Sequence, residues 1–426
     1  MPATKKLSSA SSEFLLEFLV KRLGRHGDGV ALYNGKNIFI DGALPGERVL
    51  AQVEGERGYV HRILSPSPER IQPPCPVASS CGGCSLQHAS VTAELTWKRD
   101  LVAEALAKSG IATSVVEPVV SIPYGTRRRA TFSWKKSKSQ FVMGYNARRT
   151  HYIVTTHECM LLTKAISDAL AVLHESIKDL VPLGKGSISI CDSDSGIDVV
   201  LDWIGMPDLQ ALEVLAALVH EHDWARLSLR IGTVIEPIAV QREPIIYMGE
   251  NPVRLPPGAF LQPSREGQKL LVDLVLKELN ALSGPVLDLF CGLGTFALPL
   301  AANLYHPVTA IDSDQKSVEC LAATGMVKAL ARDLFRNPLL PNELEGYEAV
   351  VLDPPRAGGA AQVLQITQCA PKKGPKKIVM VSCNPFTCAR DARTLTNAGF
   401  VIEKIIPVNQ FHRSMHVELV AVFSRV

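Results

Sequence analysis

The fold of the second half of the chain is decided by the segment Val286-Leu-Asp-Leu-Phe-Cys-Gly-Leu-Gly-Thr295. An apolar run leads directly into a Gly-x-Gly turn, and a helical pattern follows the turn. Glycines are needed there because a nucleotide-like ligand approaches the backbone closely at a helix N-terminus. Phe296 and Ala297 stand where a dinucleotide fingerprint has its third glycine. The segment therefore favours S-adenosylmethionine, which has no pyrophosphate, over NAD.

Apolar runs alternate with helical segments from Gln268 onward. The four runs are VLDLF, PVTAID, YEAVVLD and KIVMVS. Continuous apolar runs of this kind are typical of a parallel sheet that is buried on both faces. The last third of the chain is thus predicted to be a doubly wound α/β domain. Asp312 ends the second run, where an acid can hold ribose hydroxyls. Asp333 is expected near the adenine edge, and a solvated loop carboxylate is the alternative for it.

Two further strand ends are expected to face the same cleft, because carboxyl ends of parallel strands meet at one edge. Asp353 ends the third run and precedes two prolines that fix the turn, and Cys383 follows the fourth run. Glu418 lies in an otherwise apolar segment, Met415–Phe423, where an unpaired carboxylate is costly. The alternatives are a buried, inert Cys383 and a structural ion pair for Glu418.

A methyl donor, a nucleophilic thiol and a carboxylate suit methylation of uracil at carbon 5. That carbon is too weak a nucleophile to take a methyl group unaided, and a thiolate that adds to carbon 6 activates it. In this hypothesis Cys383 attacks, Glu418 removes the proton from carbon 5, and Asp353 hydrogen-bonds the uracil edge.

The first part of the chain has a different pattern. Five short strands are predicted between about Phe14 and Ile63, with a hairpin turn at Asn34-Gly35, which indicates a small β-barrel. A proline-rich connector follows, and then a helix from about Thr92 to Lys108. Residues 115–254 mix strands and amphipathic helices.

Three cysteines cluster in a Gly-rich loop, Cys75-x5-Cys81-x2-Cys84, and Cys159 is the best-placed fourth thiol. Four thiolates suit zinc or an iron–sulfur cluster, and the spacing does not discriminate between them. The radical-forming pattern, with spacings of three and two residues, is not matched. Unrelated buried cysteines are the alternative.

Residues 121–150 hold eight Lys and Arg and no Asp or Glu, and five aromatic residues are interleaved. Cations for phosphates and aromatics for unstacked bases are typical of single-stranded RNA recognition. A solvated face is the alternative. The net charge of the whole chain gives little evidence for a polyanionic partner, because 45 Lys+Arg minus 42 Asp+Glu leaves only +3 over 426 residues.

Other compositional features concern location. No stretch reaches the roughly 18 uninterrupted apolar residues of a membrane span. The segment Met1–Ser12 has no apolar core of a secretory signal. Ten cysteines without such a signal point to a reducing cytoplasm.

Together these motifs closely resemble the RNA uracil-5-methyltransferase family, in particular its 23S ribosomal RNA branch, over nearly the full length. The motifs are DGALPGERV, the cysteine loop, FLQPS, VLDLFCGLGTFALPLA, VVLDPPRAG, VSCNPFTCARD and HVELVAV. The resemblance implies a TRAM barrel and a [4Fe–4S] cluster. The chain departs from the family pattern at Ser264, Thr295 and Asp312, and the run Gln410–His416 lacks the usual proline.

The predicted architecture is α/β with three domains: a TRAM-like barrel (10–67), a central α+β domain with the cysteines (68–262) and a Rossmann-like methyltransferase domain (263–426). Helix 92–110 is expected to pack on the last domain. The resemblance implies the following sites: catalytic Cys383 and Glu418; donor-binding Gln262, Phe290, Gly292, Gly294, Thr295, Asp312, Asp333 and Asp353; RNA-binding Arg127, Arg128, Arg129, Phe132 and Asp353; cluster-binding Cys75, Cys81, Cys84 and Cys159. A monomer that acts on 23S rRNA is expected.

Four alternatives stay open. A tRNA uracil enzyme would use the same chemistry. An RNA cytosine-5-methyltransferase usually carries Pro-Cys after the fourth strand, where this chain has Asp353-Pro-Pro-Arg356. An amino-group methyltransferase would need Tyr in place of Arg356 and no Cys383. A non-catalytic RNA-binding protein with a structural metal would not bind the donor.

Overall fold

A computed structural model describes residues 15–156, 158–304 and 306–425. The predicted start of the barrel at residues 10–14, the segment Met1–Ser12 and the last residue, 426, lie outside the described residues. The described chain forms two compact units. The first comprises residues 15–74, 84–97 and 413–415, and the second comprises 75–83, 98–412 and 416–425. No helix among the described residues has the length and apolarity needed to cross a bilayer.

The first unit contains a curled six-stranded sheet in the order β1-β5-β6-β4-β3-β2. Its strands are β1 (Leu15–Leu19), β2 (Arg22–Leu23), β3 (Gly29–Tyr33), β4 (Lys36–Asp41), β5 (Arg48–Glu54) and β6 (Arg57–Ser65). The sequence predicted five strands here. The predicted hairpin is confirmed: Asn34 (φ 49°) and Gly35 (φ 76°) join β3 to β4, because both residues tolerate the positive φ of such a turn.

A seven-stranded sheet in the order β10-β9-β8-β11-β12-β13-β14 belongs to the second unit. Its strands are β8 (Arg129–Lys136), β9 (Phe141–Asn146), β10 (Ile153–Thr155), β11 (Gly184–Ser193), β12 (Gly196–Asp202), β13 (Arg226–Ile231) and β14 (Val234–Val240). Helices α2 (Lys164–Ile177) and α3 (Leu209–Glu221) pack on it. Phe132 and Trp134 are central to its core because alternate side chains of β8 point inward.

An eight-stranded sheet follows in the order β19-β18-β17-β20-β21-β23-β22-β7. Its strands are β7 (Val120–Ser121), β17 (Val286–Leu289), β18 (Val308–Asp312), β19 (Lys328–Ala331), β20 (Ala349–Leu352), β21 (Lys377–Ser382), β22 (Phe400–Asn409) and β23 (Glu418–Arg425). A separate hairpin pairs β15 (Ile245–Met248) with β16 (Asn251–Arg254). The helices are α4 (Arg265–Leu279), α5 (Ala297–Asn303), α6 (Gln315–Ala322), α7 (Pro341–Leu344), α8 (Ala360–Gln368) and α9 (Pro385–Asn397).

The predicted parallel strands are confirmed in the eight-stranded sheet. β17, β18, β20 and β21 pair in parallel, and every residue of β17 and β20 is buried. β23 inserts antiparallel between β21 and β22, and it begins at Glu418 rather than Met415. Its antiparallel direction brings the beginning of β23, and thus Glu418, to the edge where the parallel strands end.

Residues upstream of the predicted domain also contribute to this sheet. The short strand β7 pairs with the end of β22. Helix α1 (Val91–Lys108) has the predicted bounds to within one residue, and a short 3-10 helix, Thr113–Val115, follows it. Within the second unit, Lys98 of α1 donates to Asn409 Oδ1 at 2.5 Å. The contact joins α1 to the end of β22.

Candidate active site

The turn after β17 forms a cradle of backbone at the carboxyl edge of the sheet. Phe290 (φ 63°), Gly292 (φ 53°) and Gly294 (φ 87°) all take left-handed conformations. A Cβ on Gly294 would lie 2.6 Å from Leu321 Cδ1, so only glycine fits there. The Gly292 amide donates to Asp312 Oδ2 at 2.9 Å, which ties the turn to the end of β18.

Acidic side chains surround this cradle. Asp288 is fully buried in β17, and burial raises its pKa to about 8 against the opposing effect of the Ala297 amide. Neither Asp288 oxygen accepts a hydrogen bond of normal geometry from a described residue. Asp333 accepts from the Phe335 amide at 2.9 Å, so part of its carboxylate stabilises its own turn. Asp312 and Asp333 are partly exposed and provide acceptors for a ligand with hydroxyl and amino groups, whereas Asp288 is fully buried.

Four polar side chains form a hydrogen-bonded chain beside the cradle. Glu418 Oε2 accepts from Gln410 Nε2 at 2.9 Å. The same nitrogen donates to Gln262 Oε1 at 3.2 Å, and Gln262 Nε2 points to Asp353 Oδ2 at 3.4 Å. The chain joins the start of β23 to the end of β20 through residues from two loops.

Cys383 lies half-buried at the end of β21, beside these acids. The pKa of its thiol is raised to about 11, first by burial and then by the charges of Glu418 and Asp353. The charge of Arg356 opposes this rise. Burial raises the pKa of Glu418 to about 7, against the Gln410 hydrogen bond and the Arg356 charge. Burial, and then the neighbouring carboxylates, raise the pKa of Asp353 well above its ordinary value.

The arrangement joins a nucleophile, a base and a backbone cradle. Cys383 supplies a thiol that needs activation, and Glu418 is a buried carboxylate whose pKa near 7 suits proton transfer. The structure thus brings together Gln262, Asp353, Cys383 and Glu418, whose roles stay predictions. Gln410 was not predicted as a site residue. The signal in the sequence was its place at the start of the run Gln410–His416, eight residues before Glu418.

Two of the residues predicted to contact RNA are interior. Arg128 is 1% exposed and donates to the Gln262 carbonyl at 3.2 Å and to Gln268 Oε1 at 2.7 Å. Phe132 is 0% exposed in the seven-stranded sheet. Their burial leaves almost no side-chain surface for RNA. The expectation that Arg128 and Phe132 contact RNA directly is therefore corrected. Arg128 instead supports the backbone of Gln262.

Other members of the acid-free segment are accessible. Arg127, Lys135 and Lys138 are exposed, and the Arg129 guanidinium lies 4.6 Å from the centre of the Phe260 ring. Phe260 is 62% exposed. Arg127, Lys135 and Lys138 therefore face solvent, whereas the aromatic side chains of β8 pack inward.

The predicted cluster ligands do not form a metal site in the described chain. No group of three or more Cys, His, Asp or Glu among the described residues is arranged to hold a metal ion. Cys81 Sγ accepts from the Gly83 amide at 3.4 Å. Cys84 Sγ accepts from Gln87 Nε2 at 3.4 Å. Burial raises the pKa of Cys159, and so do the nearby Cys81 and Cys75, which places these three thiols within electrostatic range of one another.

The chain is similar to known methyltransferases. Residues 256–378 match the family described as Methyltransferase small domain. An uncharacterized RNA methyltransferase of Brucella suis is 37% identical over 418 residues, which cover 96% of this chain and 98% of that protein. The 23S rRNA (uracil(1939)-C(5))-methyltransferase of Vibrio parahaemolyticus is 29% identical and covers 95% of each chain.

A solved structure has a similar fold. It is the Pyrococcus abyssi tRNA (uracil-54, C5)-methyltransferase in complex with S-adenosyl-L-homocysteine, with a TM-score of 0.71 and 23% identity. The match covers 96% of this chain and all of that one. The likeness confirms the mixed α/β architecture.

Proposed function

Since the chain belongs to the RNA uracil-5-methyltransferase family, we propose that it methylates carbon 5 of one uridine through a covalent bond between Cys383 and uracil. The observation that carries the proposal is the position of Cys383, which is half-buried and within electrostatic range of Asp353 and the buried Glu418 at the edge that holds the glycine cradle. A cysteine with only a structural role would need neither Asp353 nor Glu418 near it.

S-adenosylmethionine supplies an electrophilic methyl group when it is bound. Cys383 Sγ adds to carbon 6 of uracil, and the electrons of the C5–C6 double bond move toward O4, which makes carbon 5 nucleophilic. With the donor bound, carbon 5 would take the methyl group as the S–CH3 bond of the sulfonium breaks, which leaves S-adenosylhomocysteine. Glu418 removes the remaining proton from carbon 5, the double bond re-forms, and the C6–S bond breaks to release the thiolate.

Neighbouring residues set the charge for these steps. The raised pKa of Asp353 favours its protonated form, which can donate a hydrogen bond to a carbonyl oxygen of uracil. Arg356 lowers the pKa values of both Cys383 and Glu418, so its charge favours the thiolate and the carboxylate that the reaction needs.

The donor site is proposed at the glycine cradle. The predicted residues are Gln262, Phe290, Gly292, Gly294, Thr295, Asp312, Asp333 and Asp353. Asp312 is suited to ribose hydroxyls because it already accepts from backbone amides at this turn. The Phe290 and Phe335 rings, with centres 5.4 Å apart, offer an apolar wall for adenine.

The proposed substrate is 23S rRNA, and Arg127 and Arg129 are proposed to contact it. The name of the Vibrio relative, which matches along nearly all of both chains, supports this choice. A tRNA substrate is the second candidate, because the Pyrococcus enzyme with a similar fold acts on tRNA. A cytoplasmic monomer with three domains remains part of the proposal.

Cys75, Cys81, Cys84 and Cys159 are proposed to bind a [4Fe–4S] cluster. The mutual electrostatic effect of Cys75, Cys81 and Cys159 and the family resemblance support it. The raised pKa values of Cys81 and Cys159 favour neutral thiols, and binding of a cluster would convert them to thiolate ligands. Anaerobic purification should give a brown protein with about four irons per chain. A colourless protein without iron would contradict the assignment.

The function is tested with transcripts made in vitro. The purified chain is incubated with S-adenosylmethionine and either a 23S rRNA or a tRNA transcript, and the nucleosides are analysed by mass spectrometry. We expect 5-methyluridine in the 23S rRNA, none with Cys383→Ala, and normal yield with Cys320→Ala, another half-buried cysteine. Formation of 5-methylcytidine, or full activity of Cys383→Ala, would contradict the proposal.

A further inference from the structure

Gln410 lies at the centre of the hydrogen-bonded chain that connects Glu418 to Asp353. We propose that Gln410 is a positioning residue, which orients the Glu418 carboxylate and the Gln262 amide for removal of the proton from carbon 5. The inference rests on the proposed function and adds a residue to it. Gln410 does not itself touch the reacting atoms.

The hydrogen-bond directions follow from the chemistry of the amide. Gln410 Nε2 carries two hydrogens, and its two neighbours are Glu418 Oε2 at 2.9 Å and Gln262 Oε1 at 3.2 Å. Because Gln262 uses its oxygen here, its Nε2 must face Asp353. A reversed Gln410 amide would place an oxygen against both acceptors. One amide therefore sets the orientation of the next.

The shape of the site holds the Gln410 side chain in place. Gln410 is buried, and its Oε1 accepts no hydrogen bond from a described residue. That oxygen fits against Gly267, where a Cβ would approach it to 2.4 Å. Gly267 is fixed in turn because its amide donates to Ser264 Oγ, the N-cap of α4, at 2.9 Å. The absence of a side chain at 267 makes the room that Gln410 needs.

The orientation has a consequence for the charge of Glu418. The groups that face Glu418 are Gln410 and Arg356, which lower its pKa, and the acids Asp353 and Cys383, whose own pKa values its charge raises. His416, two residues before Glu418, contacts the Arg356 guanidinium at 3.3 Å. Among the described residues, Gln410 donates the one side-chain hydrogen bond to the Glu418 carboxylate, at 2.9 Å. Loss of that donor should leave Glu418 protonated over a wider range of pH.

The test is Gln410→Met, which keeps the length of the side chain and removes both donors. In single-turnover experiments, the rate at which the covalent protein–RNA adduct resolves is measured from pH 6 to 9. We expect the midpoint of this profile to move up by about one pH unit, which corresponds to about tenfold slower resolution at pH 6.5.

Two further variants separate positioning from folding. Gln362→Met is the matched control, because Gln362 is also buried and its amide bonds, among the described residues, the backbone of Leu339. Its profile should match wild type. Gly267→Ala should displace Gln410 and thus shift the midpoint of the pH profile in the same direction. This variant replaces Gln410→Met in the test if Gln410→Met does not fold.

The outcomes distinguish the inference from the proposed function. If the wild-type chain forms no adduct and no 5-methyluridine, the proposed function fails. If wild type is active and the profile of Gln410→Met is unchanged, the inference alone is overturned. A slower reaction of Gln410→Met with an unmoved midpoint would also overturn it, because that result indicates a merely structural role.

Discussion

Replacement of Glu418 by Gln removes the proposed base with little change of shape. Glu418 is 3% exposed, and a glutamine oxygen at the same place still accepts from Gln410 Nε2. The fold should therefore persist, because a neutral amide costs less to bury than a carboxylate. What disappears is the group that takes the proton from carbon 5.

The size of the effect follows from two pKa values. Glu418, with a pKa of about 7, is mostly ionised at pH 8, so the wild-type base is available there. A positioned base contributes roughly 10²- to 10⁴-fold, and resolution of the adduct should slow by that factor. The Glu418 charge is also one cause of the high Cys383 pKa of about 11, so its removal lowers that pKa and does not slow addition of the thiolate.

The assay is a time course at pH 8 with radiolabelled methyl donor and RNA. Glu418→Gln should give a burst of about one methyl group per enzyme, a slow steady state, and an adduct visible on denaturing gels. Glu403→Gln, an exposed change on β22, should turn over normally. Normal turnover by Glu418→Gln, or absence of the adduct, would refute the role of Glu418.

Further predictions concern the thiol, the cradle and the central sheet. Alkylation of Cys383 by iodoacetamide without RNA should rise through an apparent pKa near 11, and a value below 8 would contradict its burial. Gly294→Ala should weaken S-adenosylhomocysteine binding at least about tenfold by calorimetry, because φ is +87° and a Cβ has no room, whereas Gly346→Ala, with φ +88° and open space, should not. Phe132→Ala should lower the free energy of unfolding by about 3–5 kcal/mol in chemical denaturation and leave the RNA affinity of the folded protein unchanged. Arg127→Ala should weaken RNA binding and reduce its salt dependence by about one counterion, without a change in the free energy of unfolding. Weaker RNA binding by Phe132→Ala together with normal binding by Arg127→Ala would instead indicate that Phe132 contacts RNA.

The features that the sequence predicted well are local or periodic. Continuous apolar runs specify strands buried on both faces, so β17, β18, β20 and β21 were predicted in their parallel sheet. Carboxyl ends of such strands meet at one edge, and for that reason Asp353 and Cys383 were expected together. Asn34-Gly35 specified its hairpin because both residues adopt positive φ.

The features that it missed depend on distant parts of the chain. Aromatic residues between cations suggested base stacking, yet the alternation along β8 also fits a half-buried strand, and the structure places Phe132 and Trp134 inside. Arg128 looked like its exposed neighbour Arg127, but its partners Gln262 and Gln268 are more than a hundred residues away. The proposed role of Gln410 likewise depends on its contacts with Gln262 and Glu418, which the sequence alone does not show. Spacing of cysteines predicts ligands but not the geometry of a site.

The most direct test of the account is capture of the thiol–uracil bond. The wild-type chain, S-adenosylmethionine and RNA that contains 5-fluorouridine are mixed, because fluorine cannot leave carbon 5 as a cation and the methylated adduct is trapped. The account predicts one RNA bound per chain, and peptide mass spectrometry should place the bond at Cys383. An adduct that persists in Cys383→Ala, or none with the wild-type chain on RNA that it methylates, would contradict it.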